Sequence, residues 1–196
     1  MDRDGTLIKY VELLCRISQV EILESAVEGV KALNSAGFRV VVVTNQPVVA
    51  RNLCSESDVE AVNAFVKSEF EKRGAFIDAF YYCPHHPETW HPEANDPKYR
   101  RECDCRKPGT ALLKRAAKDL NIDLSKSFVV GDSTRDLQTA RNASCKAILV
   151  RTGVSGRDGK YGAKPDFECN DLVEAAELVN RLAGATRGGR RTERFG

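Results

Sequence analysis

The chain begins MDRDGT, two aspartates one residue apart, with a glycine and a threonine after them. A carboxylate that attacks phosphorus must have its repulsion for the phosphate cancelled. A Mg²⁺ held between carboxylates does this, and cationic or hydroxyl side chains take the remaining phosphate oxygens. The sequence supplies each part at a separate place. Asp2 suits a nucleophile and metal ligand that passes through an aspartyl-phosphate. In an extended chain Asp4 points the same way as Asp2, and is suited to protonate the leaving oxygen and then deprotonate the attacking water. Thr44 brings a hydroxyl for the phosphoryl group, Lys107 a fixed positive charge and Asp132 a second metal carboxylate. A lone DxD beside loop polars is a common accident; several such groups, in order along one chain, are not.

A second constellation lies in CPHHPETWHPEANDPKYRRECDC. Cys83 and His85 are separated by one residue, as are Cys103 and Cys105, with a proline-rich loop between. Two C-x-[CH] pairs can close a tetrahedral Cys₃His zinc site, and the intervening loop has no apolar core of its own. The competing reading is buried thiols beside surface histidines, but unrelated cysteines rarely fall in paired form. His86 is expected to face solvent, and His91 to lie in a mobile part of the loop. A metal at Cys103 and Cys105 would also fix where Arg106 and Lys107 point, giving a structural zinc an indirect catalytic consequence.

The elements that must position these groups alternate. VEGVKALNSAG has helical spacing and stops at Gly37, and FRVVVVTNQ is a β-branched run expected of a strand buried on both faces. SESDVEAVNAFVKSEFEKRG reads as an amphipathic helix, IDAFYYC as a strand and GTALLKRAAKDLNI as a helix. SFVVGD and KAILVRTG read as strands flanking the helix TRDLQTARNAS, and DLVEAAELVNRLAG as the closing helix. This alternation predicts an open α/β fold, a parallel sheet with right-handed crossovers. Ligands bind beyond the carboxyl ends of such strands. Thr44, Asn45, Cys83, Asp132 and Thr152 fall there, and Asp2 would join them if a strand preceded it.

At 196 residues the chain fits one domain, or one domain plus a tail. Its 42% hydrophobic and 30% charged residues are those of an ordinary globular protein, and a net charge of +2 argues for neither nucleic acid nor membrane. Much of that excess sits in RGGRRTERFG, so residues 183–196 are expected to be a disordered tail and residues 1–182 the domain. No apolar run approaches the ~20 residues of a membrane helix. An odd number of cysteines, three of them clustered, favours metal-bound thiolates in a reducing, cytoplasmic setting over disulfides.

DRDGT, VVVVTNQ, CRKP and VVGDSTRD resemble, in order and spacing, the four motifs of the haloacid dehalogenase (HAD) superfamily of phosphatases. The cysteine loop resembles that of a subgroup holding the heptose bisphosphatases and histidinol-phosphate phosphatases. VVVTNQPVVAR, YYCPHHP, CDCRKP and VRTG are nearer to the heptose enzymes, and the likeness runs from Asp2 to about Leu182. It implies a HAD-like Rossmannoid parallel sheet with helices on both faces and a zinc-binding loop insertion. It also implies hydrolysis of a small sugar phosphate, the 7-phosphate of a heptose 1,7-bisphosphate, by a cytoplasmic monomer. Carried over, Asp2 is the nucleophile and Asp4 the general acid/base. Mg²⁺ falls to Asp2, the backbone carbonyl of Asp4, and Asp132. Thr44 and Lys107 stabilise the phosphoryl group, Asn45 and Gln46 line the substrate site, Arg106 recognises the second phosphate and Arg51 is a further anion contact. Asp136 orients its neighbours.

The sequence departs from that pattern in four places. No apolar strand precedes the nucleophile, which leads us to expect an N-terminally truncated chain whose neighbouring strands carry unpaired backbone groups, at ~1–3 kcal/mol for each one buried. Pro47-Val48 stands where the family often has Ser-Gly. The link from Asp4 to YVE is short, and Ser133 follows Asp132 where the bacterial heptose enzymes often place a lysine. All four touch substrate recognition or its support. The alternatives are a histidinol-phosphate or other small-metabolite phosphatase, and a catalytically silent zinc-stabilised module whose nucleophile sits on a frayed end.

Overall fold

The computed structural model describes residues 1–87 and 96–188, with side chains described through residue 184. Among the described residues five α-helices and five strands follow one another, alternating as far as β4: α1 (Glu24–Ser35), β1 (Val41–Asn45), α2 (Glu56–Lys72), β2 (Ala79–Cys83), α3 (Ala111–Leu120), β3 (Phe128–Gly131), α4 (Thr134–Asn142), β4 (Lys146–Val150), β5 (Phe167–Cys169) and α5 (Leu172–Gly188). The three-residue β5 is too short for a periodic signal and went unread in the sequence. Helix α5 continues past Leu182, where the sequence was taken to leave the domain, and residues 189–196 lie outside the described residues. So does His91. Among the described residues no helix is long and apolar enough to cross a membrane.

The strand pairs are parallel, β1 with β2, β3 with β4 and β4 with β5. What joins the two sets is the start of the chain. The Met1 amino group donates to the Val41 carbonyl (2.7 Å), the Val43 N–H to the Met1 carbonyl (2.9 Å) and the Asp2 N–H to the Val130 carbonyl (2.9 Å). Met1 and Asp2 thus occupy the central position, giving the order β2-β1-(Met1–Asp2)-β3-β4-β5. The expected loss of pairing beside β1 and β3 is therefore partly made good by two residues. In a parallel strand the N–H and C=O of one residue face the same side, so the Val41 and Val130 N–H groups turn toward the same gap. There a groove of about 270 Å³ runs past Met1, lined by residues including Val41, Val43, Phe128 and Val130. Burial pushes the Met1 ammonium down to about 6, the Lys107 charge adding to the effect.

Both faces of the sheet are covered. Val42, Val130, Ile148 and Val150 pack with α1, α2 and α5, while Val129, Ala147 and Leu149 pack against Leu137 and Ala140 of α4. Val43 meets Leu112 of α3. Local chemistry sets the helix ends. Ser55 caps α2 by accepting from the Asp58 N–H (3.2 Å), and Asp58 accepts from the Ser55 N–H (2.8 Å). Gly37 and Gly74 follow α1 and α2 at φ of 80° and 77°. Where α1 meets α5, Gly29 lies so near Leu172 that a Cβ would stand 2.5 Å from its carbonyl oxygen. We therefore expect Gly29→Ala to force the two helices apart and cost about 2 kcal/mol of stability. Chemical denaturation reads this, and an unchanged midpoint would show that the interface yields freely.

Candidate active site and cysteine centre

Because Met1–Asp2 runs between β1 and β3, the Asp2 side chain emerges where Thr44 lies next to the end of β1 and Asp132 follows β3. Asp2, Asp132 and Asp136 each bring a carboxylate oxygen to within 4.8 Å of the others. Asp132 and Asp136 are 3% and 1% exposed, and the one buried ammonium facing them belongs to Lys107, also 3% exposed. Its Nζ lies 2.9 Å from Asp2 Oδ2 and 2.5 Å from Asp136 Oδ1. Asp136, in the first turn of α4, also accepts from the Ser133 hydroxyl (2.5 Å) and N–H (3.2 Å).

Two like charges this close repel by roughly 3 kcal/mol at an effective dielectric constant of 20. Burial alone pushes the Asp2 carboxyl up, but the Lys107 charge and hydrogen bonds from Lys107, the Arg3 N–H and Thr44 hold it below the usual range. The Lys107 ammonium is disfavoured by burial yet raised by Asp136 and Asp2. Asp132 has no such partner. Burial, then Asp2 and Asp136, push it up to about 7, against one N–H bond from Val154 (2.7 Å). Three clustered carboxylates, two of them buried, against the Lys107 ammonium leave two negative charges if all ionise. A divalent cation is the species that balances them, and oxygen donors in this number suit Mg²⁺.

The second aspartate of the motif is held differently. Asp4 accepts from Arg3 Nη2 through both oxygens (3.1 and 3.0 Å) and from Gln46 Nε2 (2.8 Å). Arg3 is itself 1% exposed and spends Nη1 on Asn63 Oδ1 (2.8 Å) of α2. Gln46 also donates to Thr44 Oγ1 (3.1 Å), linking both motifs in one network. Sequence reasoning passed over Arg3 and Asn63. The available signal was an asparagine on the apolar face formed by Val59, Val62, Val66 and Phe70.

These groups open onto a cavity of about 330 Å³. Of the residues expected there, Asp2, Asp4, Thr44, Asn45, Gln46, Arg51, Arg106 and Asp132 line it. Lys107 is buried behind Asp2, its backbone clasped by Asn45, which accepts from the Lys107 N–H (2.9 Å) and donates to its carbonyl (3.2 Å). His86, expected to face solvent, contributes to the cavity wall instead, because its N–H is bonded to the Tyr99 carbonyl (3.2 Å). Tyr10, Glu12, Arg135 and Lys160 also line the wall and went unread. Asp2 is fixed by backbone bonds on both sides of Met1–Asp2, so it does not sit on a frayed end.

The four cysteine-loop donors converge. Cys83, Cys103 and Cys105 Sγ atoms lie 3.1–3.5 Å apart, and His85 Nδ1 is 3.3 and 3.7 Å from two of them. That is far beyond a disulfide's ~2.05 Å and a little tighter than the ~3.8 Å edge of a tetrahedron with 2.3 Å zinc–sulfur bonds. Burial pushes the Cys83 and Cys105 thiols up, so a cation is what would hold them as thiolates. Arg101 Nη2 lies 2.9 Å from His85 Nε2. With Nδ1 on a metal, Nε2 carries the ring hydrogen, so this contact becomes donor against donor and Arg101 has to withdraw. The loop reaches the cavity directly: Arg106 donates to the His85 carbonyl (3.1 Å), and the Gln46 N–H to that of Cys83 (2.8 Å).

A parallel sheet carrying an aspartate–lysine cluster at its carboxyl edge defines the class, the HAD-like hydrolases, whose family model (HAD-hydrolase-like) matches residues 104–175. The D-glycero-beta-D-manno-heptose-1,7-bisphosphate 7-phosphatase of Haemophilus ducreyi is 36% identical over 182 residues, 92% of this chain and 96% of that one. The enzyme of the same name from Pasteurella multocida is 36% identical over 184 residues, 93% and 96% of the two chains. The crystal structure of a D,D-heptose 1,7-bisphosphate phosphatase from B. bronchiseptica, complexed with magnesium and phosphate, superposes with a TM-score of 0.78 at 29% identity, over 92% of this chain and 96% of that one. The chain belongs to this family of HAD-type phosphatases, the D-glycero-D-manno-heptose-1,7-bisphosphate 7-phosphatases, and is a phosphoric monoester hydrolase.

Two outcomes follow from the site. With its folded pKa raised from 3.8 to about 7, Asp132 binds more protons folded than unfolded. Its contribution to stability is therefore full below about pH 4 and lost as pH rises toward 7. In chelator-treated protein, the melting temperature relative to Asp132→Asn should fall across that window, and Mg²⁺ should abolish the fall; a flat difference would contradict the charge balance above. For the cysteine centre, Cys103→Ser should lower bound zinc, measured by atomic absorption, together with the melting temperature. It should also reduce kcat/KM about tenfold through Arg106 and Lys107. Full activity in a zinc-free variant would break that link.

Proposed function

We propose that the protein hydrolyses the 7-phosphate of D-glycero-D-manno-heptose 1,7-bisphosphate through an aspartyl-phosphate on Asp2. The reading is carried by one observation, the Asp2 carboxylate held 2.9 Å from a buried Lys107 ammonium with Asp132 beside it. The names of relatives covering nine-tenths of the chain supply the sugar.

Asp2, Asp132 and the backbone carbonyl of Asp4 would hold Mg²⁺, which supplies charge neutralisation at the phosphoryl oxygens when bound. Lys107 and the Thr44 hydroxyl keep Asp2 ionised and aimed, so an Asp2 oxygen attacks phosphorus in line with the departing sugar oxygen. Asp4, oriented by Arg3 and Gln46, gives its proton to that oxygen. It then takes a proton from the water that attacks the aspartyl-phosphate, releasing inorganic phosphate and regenerating Asp2. Arg106 would face the second phosphate, with Arg51 as a further anion contact, and Asn45 and Gln46 line the sugar's path.

Zn²⁺ on Cys83, His85, Cys103 and Cys105 is structural in this reading, since all four positions of a tetrahedron are filled by protein. Unbridged sulfurs at this spacing are consistent with a reducing cytoplasm. The protein acts as a monomer, on a small phosphorylated sugar rather than nucleic acid or membrane, with residues 1–182 as its domain. Phosphate release from the heptose bisphosphate and from histidinol phosphate tests the substrate. We expect the first to be preferred and Asp2→Asn to remove at least ~10³-fold of kcat. Preference for histidinol phosphate would overturn the sugar, and undiminished turnover in Asp2→Asn would overturn the mechanism.

A further inference from the structure

The cavity carries more positive charge than the reacting phosphate uses. Lys107 is consumed behind Asp2. Arg51 and Arg106 come from the β1–α2 turn and the cysteine loop. Two further cations, Arg135 and Lys160, line the same cavity from different elements. Arg135 is the second residue of α4, and Lys160 lies on the loop between β4 and β5.

Nothing in the chemistry at Asp2 requires these two, yet the structure fastens them together. Thr134, the neighbour of Arg135, gives both its N–H and its hydroxyl to Asp158 (2.8 Å each), and its hydroxyl oxygen accepts from the Tyr161 N–H (3.1 Å). Both Asp158 oxygens are thereby engaged on Thr134, and the loop bearing Lys160 is stapled to the turn bearing Arg135. The same loop is anchored at its start, where the Val154 N–H meets the Asp132 side chain (2.7 Å) and the Gly156 N–H its carbonyl (2.7 Å). Tyr10, on the segment that walls the cavity, feels the Arg135 charge along with those of Glu12, Asp132 and Asp4. A guanidinium and an ammonium brought to one cavity by stapled segments suit an anion with several oxygens, to which arginine brings a planar fork and lysine a point charge.

We propose that Arg135 and Lys160 form a distal anion clamp that takes the non-reacting phosphate of a bisphosphorylated sugar, facing it from the α4 side while Arg106 faces it from the cysteine loop. This rests on the function proposed above and makes the α4–loop staple a determinant of specificity. Arg135 and Lys160 are binding residues, and Thr134 and Asp158 position them.

The test compares three substrates in the Mg²⁺-loaded full chain: heptose 1,7-bisphosphate, heptose 7-phosphate and an aryl phosphate. In Arg135→Gln/Lys160→Gln the KM for the bisphosphate should rise about tenfold or more, equivalent to ~1.4 kcal/mol, with kcat within about twofold. KM for the two monophosphates should move less than about twofold, which also reports that the variant folds. Arg135→Lys/Lys160→Arg should recover most of the bisphosphate KM. An unchanged bisphosphate KM, or an equal change for all three substrates, overturns the clamp. If the wild type turns over the aryl phosphate but no heptose phosphate, the sugar assignment fails by itself. The clamp is then read from competitive inhibition of aryl phosphate hydrolysis by fructose 1,6-bisphosphate. Weakening of about tenfold in the double variant supports the clamp, and an unchanged inhibition constant overturns it.

Discussion

The site depends on one ammonium shared between two carboxylates. Lys107 is pinned between Asp2 and Asp136, and its charge decides what the other acids can do. It holds Asp2 ionised where burial would protonate it. Asp132, without such a partner, is pushed toward its protonated form by burial and by the charges of Asp2 and Asp136. An arrangement with two cations would need no divalent ion, and one with none would keep Asp2 neutral and inert. One buried cation per three clustered acids is the ratio at which a doubly charged metal would complete the balance.

Two long-range devices keep that lysine in place. The first is the centre of the sheet, where Met1–Asp2 is bonded to β1 on one side and β3 on the other, bringing Asp2 to the strand ends that carry Thr44 and Asp132. The second is the cysteine centre. Cys83 is the last residue of β2, Cys105 precedes Arg106 and Lys107 by one and two positions, and Asn45 at the end of β1 clasps the Lys107 backbone. Four donors some distance from the chemistry thus set the position of the charge at its centre.

Much of this was legible in the sequence because the chemistry rides on short contiguous motifs at strand ends. Asp2, Asp4, Thr44 and Asp132 announce themselves by residue type, and the Cys/His pairs by spacing, before any fold is known. Contacts between distant segments carry no such local mark. Arg3 reads as a surface charge, yet it is buried between Asp4 and Asn63 because α2 packs over it. His86 was read outward, since nothing in the loop sequence shows that a backbone bond to Tyr99 turns it toward the cavity. The Arg135–Lys160 wall exists only because Thr134 meets Asp158 across 24 positions. That two residues, Met1 and Asp2, would bridge β1 and β3 was not foreseeable from composition.

One further feature concerns residues that have no side chain. Gly5 and Gly153 lie on either side of Asp132, and a methyl group on them would fall 2.3 and 1.9 Å from its Oδ2. Gly5 moreover holds a φ of 77°, which other residues rarely adopt. The acid's freedom from crowding is therefore encoded at two positions that contribute no chemical group. A random-mutagenesis survey of this gene would score them as intolerant as the aspartates themselves. Catalogues of functional residues compiled from reactive atoms alone would omit both.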